Sequence, residues 1–458
     1  MRSLLMPTPA RLAVILGAAV LSGCAALSSD GGLNDVARMT QERIGQPVSL
    51  AKPAEQQSDA DAEQLQSLLA QPLTAESAVK IALLNSPALK SSLAELGVSE
   101  ADFVQAGRLR NPGFSFGRVS GGGETEIDRS VSFDIVGLLT MPARQRIEQR
   151  RFEQAKLQAA TQAVQLAGET RRAYFVAVAA RQSAGFAEQV KEAAEASAEL
   201  AERMSKVGNW SKLDQARERA FYADAVTELA KARHEATAAR EQLARLLGLW
   251  GGQQDYRLPD RLPDLPVQAT AMDNAEARAL SQRLDVLAAR RDAESTAAAL
   301  GLTKATRFIN VFDAAYTNKS TTGAPRENGY EVSLELPLFD WGTARQARAE
   351  AVYMQAVQRT ADTALKARSQ VREAYSGYRT TYDIARHYRD EVVPLRRKIS
   401  DEVLLRYNGM LASTFELLAD AREQLASVNG AITAQRDFWI AESQLQWAIN
   451  GGGGGSNQ

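Results

Sequence analysis

Two residue types on which most enzymes and metal proteins rely are nearly missing from this sequence. Its 458 residues include one cysteine, Cys24, and two histidines, His234 and His387. Each histidine lies in a charge-rich, helix-like stretch without a second metal ligand nearby, so we interpret both as surface residues. Glycine-rich phosphate loops, nucleophile elbows and zinc-ligand spacings are absent as well. The sequence therefore predicts neither an enzyme nor a protein that holds a metal or a cofactor.

An excess of one charge and long apolar runs are also missing. The 54 basic and 55 acidic residues nearly cancel, so no general affinity for nucleic acid or for an acidic surface is implied. No run of about 18 apolar residues occurs beyond the N-terminal segment, which excludes a membrane-spanning helix. If the protein crosses a membrane, it must do so with β-strands closed into a barrel.

The N-terminal segment has the composition of a secretory signal peptide. Two arginines, Arg2 and Arg11, precede an apolar stretch over 12–20. Leu21-Ser22-Gly23-Cys24 then resembles the lipobox of bacterial lipoproteins, whose cysteine is diacylated. The alternative is a transmembrane anchor, but about ten apolar residues are too few to span a bilayer. Ala25 stands where an aspartate would resemble the inner-membrane retention signal. We therefore expect a signal peptide over 1–23, a lipidated Cys24 and a protein tethered to the outer membrane.

The remainder of the chain contains an internal sequence repeat. Residues 130–135 return, with the same alternation of apolar and polar positions, as residues 331–336. Ala143-Arg144-Gln145 returns as Ala344-Arg345-Gln346 at the same offset, and a shared offset across a strand and the following helix is hard to obtain by chance. We divide the chain into an N-terminal linker over 24–72, repeats over 73–250 and 271–450, and a flexible glycine-rich tail over 451–458.

Each repeat is predicted to contain a helix, two strands, a long helix and a last helix. In the first repeat Thr74 caps the first helix, and Pro142 precedes the long helix. The predicted helices of this repeat cover 75–108, 143–207 and 211–247, and its strands cover 114–120 and 130–136. Those of the second repeat cover 274–305, 344–410 and 412–449, with strands over 308–316 and 330–336. Pro394 is expected to kink the second long helix.

The helix lengths predict paired helices rather than a globular domain. At about 1.5 Å per residue the helix over 143–207 is about 98 Å long, and the two shorter helices of that repeat together reach about 108 Å. Apolar residues recur at 3–4 spacing from Leu418 to Ile432, which is typical of knobs-into-holes packing. The long helix has a broad apolar face, which favours a barrel wall with a neighbour on each side, and an ordinary antiparallel bundle is the alternative.

The strands alternate between apolar and polar residues, as a barrel with a lipid-facing exterior and a wet interior requires. Four strands cannot close a conducting barrel, and an open edge cannot lie in lipid, so the chain must pool strands with other copies. The residues expected to line the pore lumen are Ser132, Asp134, Ser333 and Glu335. Those expected to face lipid are Phe133, Ile135, Val332 and Leu334. The alternative for the two carboxylates is pairing with Arg118 or Arg307.

Several motifs resemble those of the TolC-like outer-membrane efflux proteins. Pro337-Leu338-Phe339-Asp340-Trp341-Gly342 is similar to their strand-to-helix turn, and residues 82–89 resemble their first-helix motif. Residues 283–286 and 407–421 are similar to motifs of their second repeat. The first repeat departs from the pattern, because residues 136–139 replace its Pro-Leu-Phe-Asp, and Leu284 stands where proline is more usual.

The resemblance implies a mainly α-helical fold with a small β part. A long α-helical barrel and a β-barrel would be completed by trimerisation of the two-repeat chain. The function implied is a passive outer-membrane duct of a tripartite efflux system that extends into the periplasm. Its partners would be a periplasmic adaptor, an inner-membrane efflux pump and outer-membrane lipid, with no nucleic acid. The alternative is a structural periplasmic coiled-coil lipoprotein or an adaptor-like spacer.

The resemblance also places a periplasmic gate at the turns near Gly208 and Gly409. Glu416 and Asp420 are one helical turn apart and share a helix face. In a trimer, three copies of each would form a ring of carboxylates that attracts cations and could bind divalent ions. The alternative is a solvated helix face on which Asp420 pairs with Arg422 or Arg217.

Overall fold

The computed structural model describes residues 27–48, 59–271, 274–308 and 311–451. The predicted signal peptide, Cys24 and the glycine-rich tail after Gly451 lie outside these ranges. The helices are α1 (Leu33–Ile44), α2 (Asp59–Leu69), α3 (Ala75–Asn85), α4 (Pro87–Ala106), α5 (Ile135–Lys206), α6 (Lys212–Leu247), α7 (Ala275–Gln282), α8 (Leu284–Ala305), α9 (Thr343–His387), α10 (Val393–Asn408) and α11 (Thr414–Asn450). The strands are β1 (Gly113–Gly121), β2 (Glu124–Asp134), β3 (Phe312–Thr321) and β4 (Glu327–Leu334). Within the described ranges, no helix combines the length and the apolar character needed to cross a membrane.

The first predicted helix is two helices. Thr74 caps α3 as predicted: Thr74 Oγ1 accepts a bond from the Ser77 N–H at 3.1 Å, and Ser77 Oγ accepts one from the Thr74 N–H at 2.8 Å. The prediction of one helix over 75–108 was wrong, because α3 ends at Asn85 and α4 begins at Pro87. Proline has no N–H and disfavours helical backbone at the residue before it, and Ser86 is extended at ψ 119°.

The single helix predicted over 274–305 is also interrupted. α7 ends at Gln282 and α8 begins at Leu284, with Arg283 extended between them. Arg283 is buried, and its Nη1 donates to the Ala448 carbonyl at 3.0 Å. Its Nε and Nη2 donate to the two carboxylate oxygens of Asp285, at 3.0 and 2.8 Å. The interruption therefore rests on side-chain bonds rather than on a proline.

The long helix of the first repeat begins earlier than predicted. α5 starts at Ile135, directly after β2, and contains Pro142. Asp134 stabilises this start, because its Oδ1 accepts a bond from the Gly137 N–H at 2.6 Å. The prediction of Ile135 as a strand residue was therefore wrong. At about 1.5 Å per residue, α5 is about 108 Å long.

The second long helix is interrupted where Pro394 predicted a kink. A π-helical segment, Tyr388–Val392, joins α9 to α10. The ring of Tyr388 lies against Gly430 of α11, where a Cβ atom would stand only 2.8 Å from the ring. A π-turn near a proline is a known cause of a local helix kink. The regular α-helix is therefore interrupted next to Pro394, as predicted.

The four strands form one antiparallel sheet in the order β1-β2-β3-β4. β2 and β3 pair across the two repeats, with Val131 opposite Tyr316. The β1–β2 hairpin turns at Gly122 and Gly123, which both have positive φ, at 65° and 89°. A two-residue turn of this kind needs glycine or asparagine-like residues, as the sequence predicted. The outer strands β1 and β4 each have one strand partner among the described residues.

The chain forms two compact units, each with segments from both predicted repeats. One contains 27–34, 93–158 and 287–363 and holds the sheet. The other contains 35–92, 159–286 and 364–451 and is helical. In the helical unit, the fully buried Phe438 packs its ring against Tyr378, Tyr382 and Trp439, with centroids 5.1 to 5.7 Å apart. Contacts of this kind add to the apolar area that stabilises the unit.

Candidate functional site

Near the ends of β2 and β4, the strand register places the polar side chains on one face. Residues opposite each other in an antiparallel sheet project to the same side. One row across the sheet contains Asp134, Asp313 and Ser333, and the next contains Ser132, Ala315 and Glu331. Ser132, Asp134 and Ser333 therefore share a face, as the alternation predicted, and their position in a pore lumen stays a prediction.

The opposite face is apolar over three rows. These rows contain Phe312 and Leu334; Phe133, Ala314 and Val332; and Phe114, Val131, Tyr316 and Tyr330. The apolar stretch ends at a polar ladder in which Arg129 Nη1 donates to Asn318 Oδ1 at 2.9 Å and Asn318 Nδ2 donates to Asn328 Oδ1 at 2.7 Å. An apolar band with a polar border on one face, and polar rows on the other, is the pattern of a membrane-inserted sheet.

The two predicted lumen carboxylates are not equivalent. Asp134 is the last residue of β2, caps α5 and has its Oδ2 3.5 Å from Arg110 Nη1. Glu335 lies one residue beyond β4, because the strand ends at Leu334 and not at residue 336 as predicted. The predicted alternative partners were wrong for Asp134. The guanidinium of Arg307 instead lies 4.1 Å from the Phe308 ring and donates to Gln346 Oε1 at 3.1 Å.

The two turns of the predicted gate have the expected helix-capping chemistry. Gly208 has φ +80° after α5, and Ser211 Oγ accepts a bond from the Asp214 N–H at the start of α6. Gly409 follows α10, and Ser413 Oγ accepts a bond from the Glu416 N–H at 3.1 Å. The exposed Glu416 side chain lies in the first turn of α11, where a negative charge is favourable.

Asp420 does not form the ion pairs that were its alternative interpretation. It accepts a 2.5 Å bond from Ser400 Oγ of α10. Arg217 pairs with Asp214 at 3.4 Å, and Arg422 pairs with Glu218. The pairing predicted for Asp420 with Arg422 or Arg217 was therefore wrong. Asp420 instead links α11 to α10, near the 3.0 Å ion pair between Arg396 and Glu423.

Sequence reasoning missed a buried carboxylate on α6. The Glu218 side chain is 1% exposed and accepts bonds from Ser197 Oγ of α5, at 2.6 Å, and from Arg422 Nη2 of α11. The guanidinium of Arg422 also lies 4.4 Å from the Phe221 ring. A buried carboxylate that loses its partner is strongly destabilising. The bonds from Ser197 and Arg422 to Glu218 therefore join α5, α6 and α11.

The position of Glu218 on its helix, in line with buried apolar residues, is the signal that could have identified it. It lies between two arginines and therefore has the appearance of a solvated helix face. The buried Ala225 and Leu229 follow it at helical spacing on the same stripe of α6. An acidic residue on an apolar stripe predicts a partner from another helix.

Comparison with known proteins gives the fold. The chain matches no protein-family model and no curated protein. Among solved structures it is similar to the outer-membrane channel OprN, at 19% identity and a TM-score of 0.69 over 88% of this chain and 95% of the other. It is also similar to the outer membrane protein VceC of Vibrio cholerae, at 17% identity and 0.67 over 85% and 97%.

A third similar structure is the open state of the MtrE outer membrane channel of Neisseria gonorrhoeae, at 16% identity and a TM-score of 0.67. The match covers 82% of this chain and 89% of the other. The three matches cover most of this chain and nearly the whole of each of the other channels. The chain therefore has the mainly α-helical, TolC-like fold of outer-membrane channel proteins.

Proposed function

We propose that the protein is the outer-membrane duct of a tripartite efflux system and passes substrates from an adaptor and a pump to the exterior. The observation that carries the proposal is the sheet, with one apolar face and one polar face, in which β1 and β4 each pair with one strand of the described chain. An open edge of this kind cannot lie in lipid. Pairing β4 of one copy with β1 of the next would satisfy both edges.

A homotrimer of such chains would form one β-barrel, with the polar rows inside. Asp134 would then contribute one carboxylate per copy to the end of the barrel where β2 meets α5, and Ser132 and Ser333 would line the same surface. Rings of carboxylates favour cations in a pore. Glu335 would lie just outside the strands, at the junction with the helices.

The helical hairpins would form the periplasmic tunnel and its gate. A cavity of about 400 Å³ lies among α5, α6 and α11 and is lined by both apolar and charged side chains, including Phe186, Phe221, Asn429 and Arg436. A surface of this composition suits a helical hairpin of a periplasmic adaptor.

Lipidation of Cys24 would direct the protein to the outer membrane without being its main anchor. Two acyl chains hold a protein at the membrane surface, whereas an inserted barrel crosses the membrane and is effectively permanent. This separates the duct from the alternative, a periplasmic lipoprotein spacer, which would depend on its lipid.

The experiment is to replace Cys24 with serine behind a non-lipoprotein signal peptide. A trimer that stays in the outer-membrane fraction and gives discrete single-channel conductance is the expected result. A soluble monomer in the periplasm would instead favour the spacer. Glu416→Ala and Asp420→Ala, recorded in the same bilayers with and without divalent cations, test the gate ring. Unchanged conductance and unchanged divalent block in both variants would remove the ring from the proposal.

A further inference from the structure

The connection between β4 and α9 exposes an unusual amount of apolar surface. Within residues 335–342, Leu336 is 64% exposed, Leu338 68%, Phe339 99% and Trp341 57%. Large apolar side chains exposed in succession mark an interaction site rather than an ordinary surface loop. We name residues 335–342 the junction loop.

The junction loop has a defined conformation. Asp340 Oδ1 accepts a bond from the Gly342 N–H at 2.8 Å, and the Leu338 N–H donates to the Leu336 carbonyl at 2.8 Å. Gly342 has φ +72°, and a Cβ atom there would stand 2.8 Å from the Arg307 carbonyl oxygen. Only glycine therefore fits this close approach. The outward position of Phe339 follows from these contacts.

Aromatic and cationic groups surround the loop. Trp341 meets Phe308 edge to face, with ring centroids 6.5 Å apart and planes at 87°. The Arg307 guanidinium lies over Phe308, and Arg345 Nη2 is 3.4 Å from the Arg307 carbonyl oxygen. Tryptophan beside arginine is typical of the boundary between headgroups and acyl chains, where the ring is partly apolar and the cation meets phosphate.

We propose that the junction loop is a lipid-contacting anchor that inserts Leu338, Phe339 and Trp341 into the headgroup boundary of the periplasm-facing leaflet. Arg307 and Arg345 would lie at the level of the lipid phosphates. The loop continues directly from β4, whose Val332 and Leu334 lie on the apolar face. This inference rests on the proposed function, because it requires the sheet to be in the membrane.

The first repeat offers no such anchor at the equivalent junction. There β2 leads directly into α5, and the exposed apolar residues after it are Leu138 and Leu139, on a regular helix. Arg110 and Arg144 also lie at the first-repeat junction, but residues 135–142, which follow β2 there, contain no aromatic residue. Each copy of the chain would therefore contribute one anchor, not two.

The test uses tryptophan fluorescence of the full-length protein in liposomes of phosphatidylcholine and phosphatidylglycerol, with and without brominated acyl chains. Trp341 is the one tryptophan in the sheet-containing unit, whereas Trp210, Trp250, Trp439 and Trp447 belong to the helical unit. We expect bromolipid to quench the wild type, Trp341→Phe to lose most of that quenching, and the matched control Trp250→Phe to keep it. Trp250 is itself 79% exposed, so the control compares two exposed indoles.

A second pair of variants tests the insertion of Phe339. Phe339→Asp should lower the yield of membrane-inserted protein several-fold, whereas Leu411→Asp, at an exposed leucine before α11, should not. Arg307→Gln with Arg345→Gln should remove the dependence of quenching on phosphatidylglycerol. Equal yields of the two aspartate variants would overturn the anchor.

Flotation of the liposomes separates this inference from the proposed function. Protein that floats as a trimer but shows no bromolipid quenching of Trp341 overturns the anchor alone. If Trp341 is also shielded from aqueous iodide, a second copy of the chain covers the loop, which overturns the anchor as well. Protein that does not float overturns the duct and, with it, the anchor.

Discussion

The two repeats stabilise an equivalent helix interruption with different residues. Each has a short interruption between its first two helices, at Ser86 in one and at Arg283 in the other. Each interruption is held by a side chain that reaches the end of the repeat's last helix. Asn85 Nδ2 donates to the Leu247 and Gly248 carbonyls, and Arg283 Nη1 donates to the Ala448 carbonyl. The proline of the first repeat breaks the helix by its covalent structure, so an amide is sufficient there.

The second repeat is the more interrupted of the two. Its strand and long helix are separated by the junction loop, and its long helix is divided by the π-helical segment. The first repeat passes from β2 into α5 without a break and continues for 72 residues. The two repeats therefore share the order of their helices and strands but differ in the connections between them.

The largest expected effect is at Arg283. Arg283→Met leaves the Asp285 carboxylate and the Ala448 carbonyl without their buried partner, and we expect a loss of about 3–5 kcal/mol in the free energy of unfolding. The matched change in the first repeat, Asn85→Ala, removes only neutral hydrogen bonds and should cost about 1–2 kcal/mol. Urea unfolding followed by circular dichroism measures both. Equal losses would mean that the two joints are held in the same way.

The second prediction compares the two faces of the sheet. Val332→Arg places a charge on the apolar face and should cost about 2–4 kcal/mol if the site lies near the middle of the membrane. Its neighbour Glu331 lies on the polar face, so Glu331→Arg should be tolerated. The yield of heat-resistant trimer in outer-membrane fractions is the measurement. The assignment of the faces fails if Glu331→Arg is the more damaging change.

A smaller effect is expected at the interruption of the second long helix. Gly430→Ala puts a methyl group against the Tyr388 ring and should destabilise the protein by about 1–3 kcal/mol through overpacking. Adding Tyr388→Ala should restore part of the loss, because it removes the clash. Gly377→Ala on α9, where a Cβ meets nothing within 4 Å, is the control. A double variant less stable than Gly430→Ala alone would argue against this packing.

The smallest effect concerns Glu442, a half-buried residue of α11. Burial raises the pKa of its carboxyl above the usual 4.5, and the nearby Arg171 opposes this. The pKa of Glu442 is higher in the folded state than in the unfolded state. Its protonated carboxyl therefore makes its full contribution to the free energy of unfolding below about pH 4, and this contribution is lost as the pH rises through the folded-state pKa. Glu442→Gln should therefore match the wild type near pH 4 and exceed its melting temperature near pH 8. A constant difference across this range would contradict the assignment.

Local chemistry was predictable from the sequence, and contacts between distant segments were not. Helix caps and tight turns depend on residues that are neighbours in the sequence. The roles of Thr74, Ser211 and the glycines of the β1–β2 turn could therefore be predicted from the sequence. The start of β2 was placed six residues late, because residues 124–129 carry four charges and become a strand only by pairing with β1 and β3.

In the candidate site, too, local patterns were predicted correctly and contacts between distant segments were not. The alternation of Ser132 and Phe133 predicted two faces of opposite character, and the register confirms them. The partners of Asp134, Asp420 and Arg422 were predicted wrongly, because each depends on which helix or strand lies beside it. Glu218 was missed for the same reason, since its burial is supplied by α5 and α11.

The pairing of β2 with β3 determines when the chain can fold. One segment of the helical unit, residues 159–286, lies between Val131 and Tyr316 in the sequence, so their contact closes a very long loop and forms slowly. Either repeat alone supplies only a two-stranded hairpin, which is marginal in water. Until β3 is available, the β1–β2 hairpin has an unpaired edge that is prone to aggregation. The complete sheet therefore needs both repeats, although each repeat has the same order of elements.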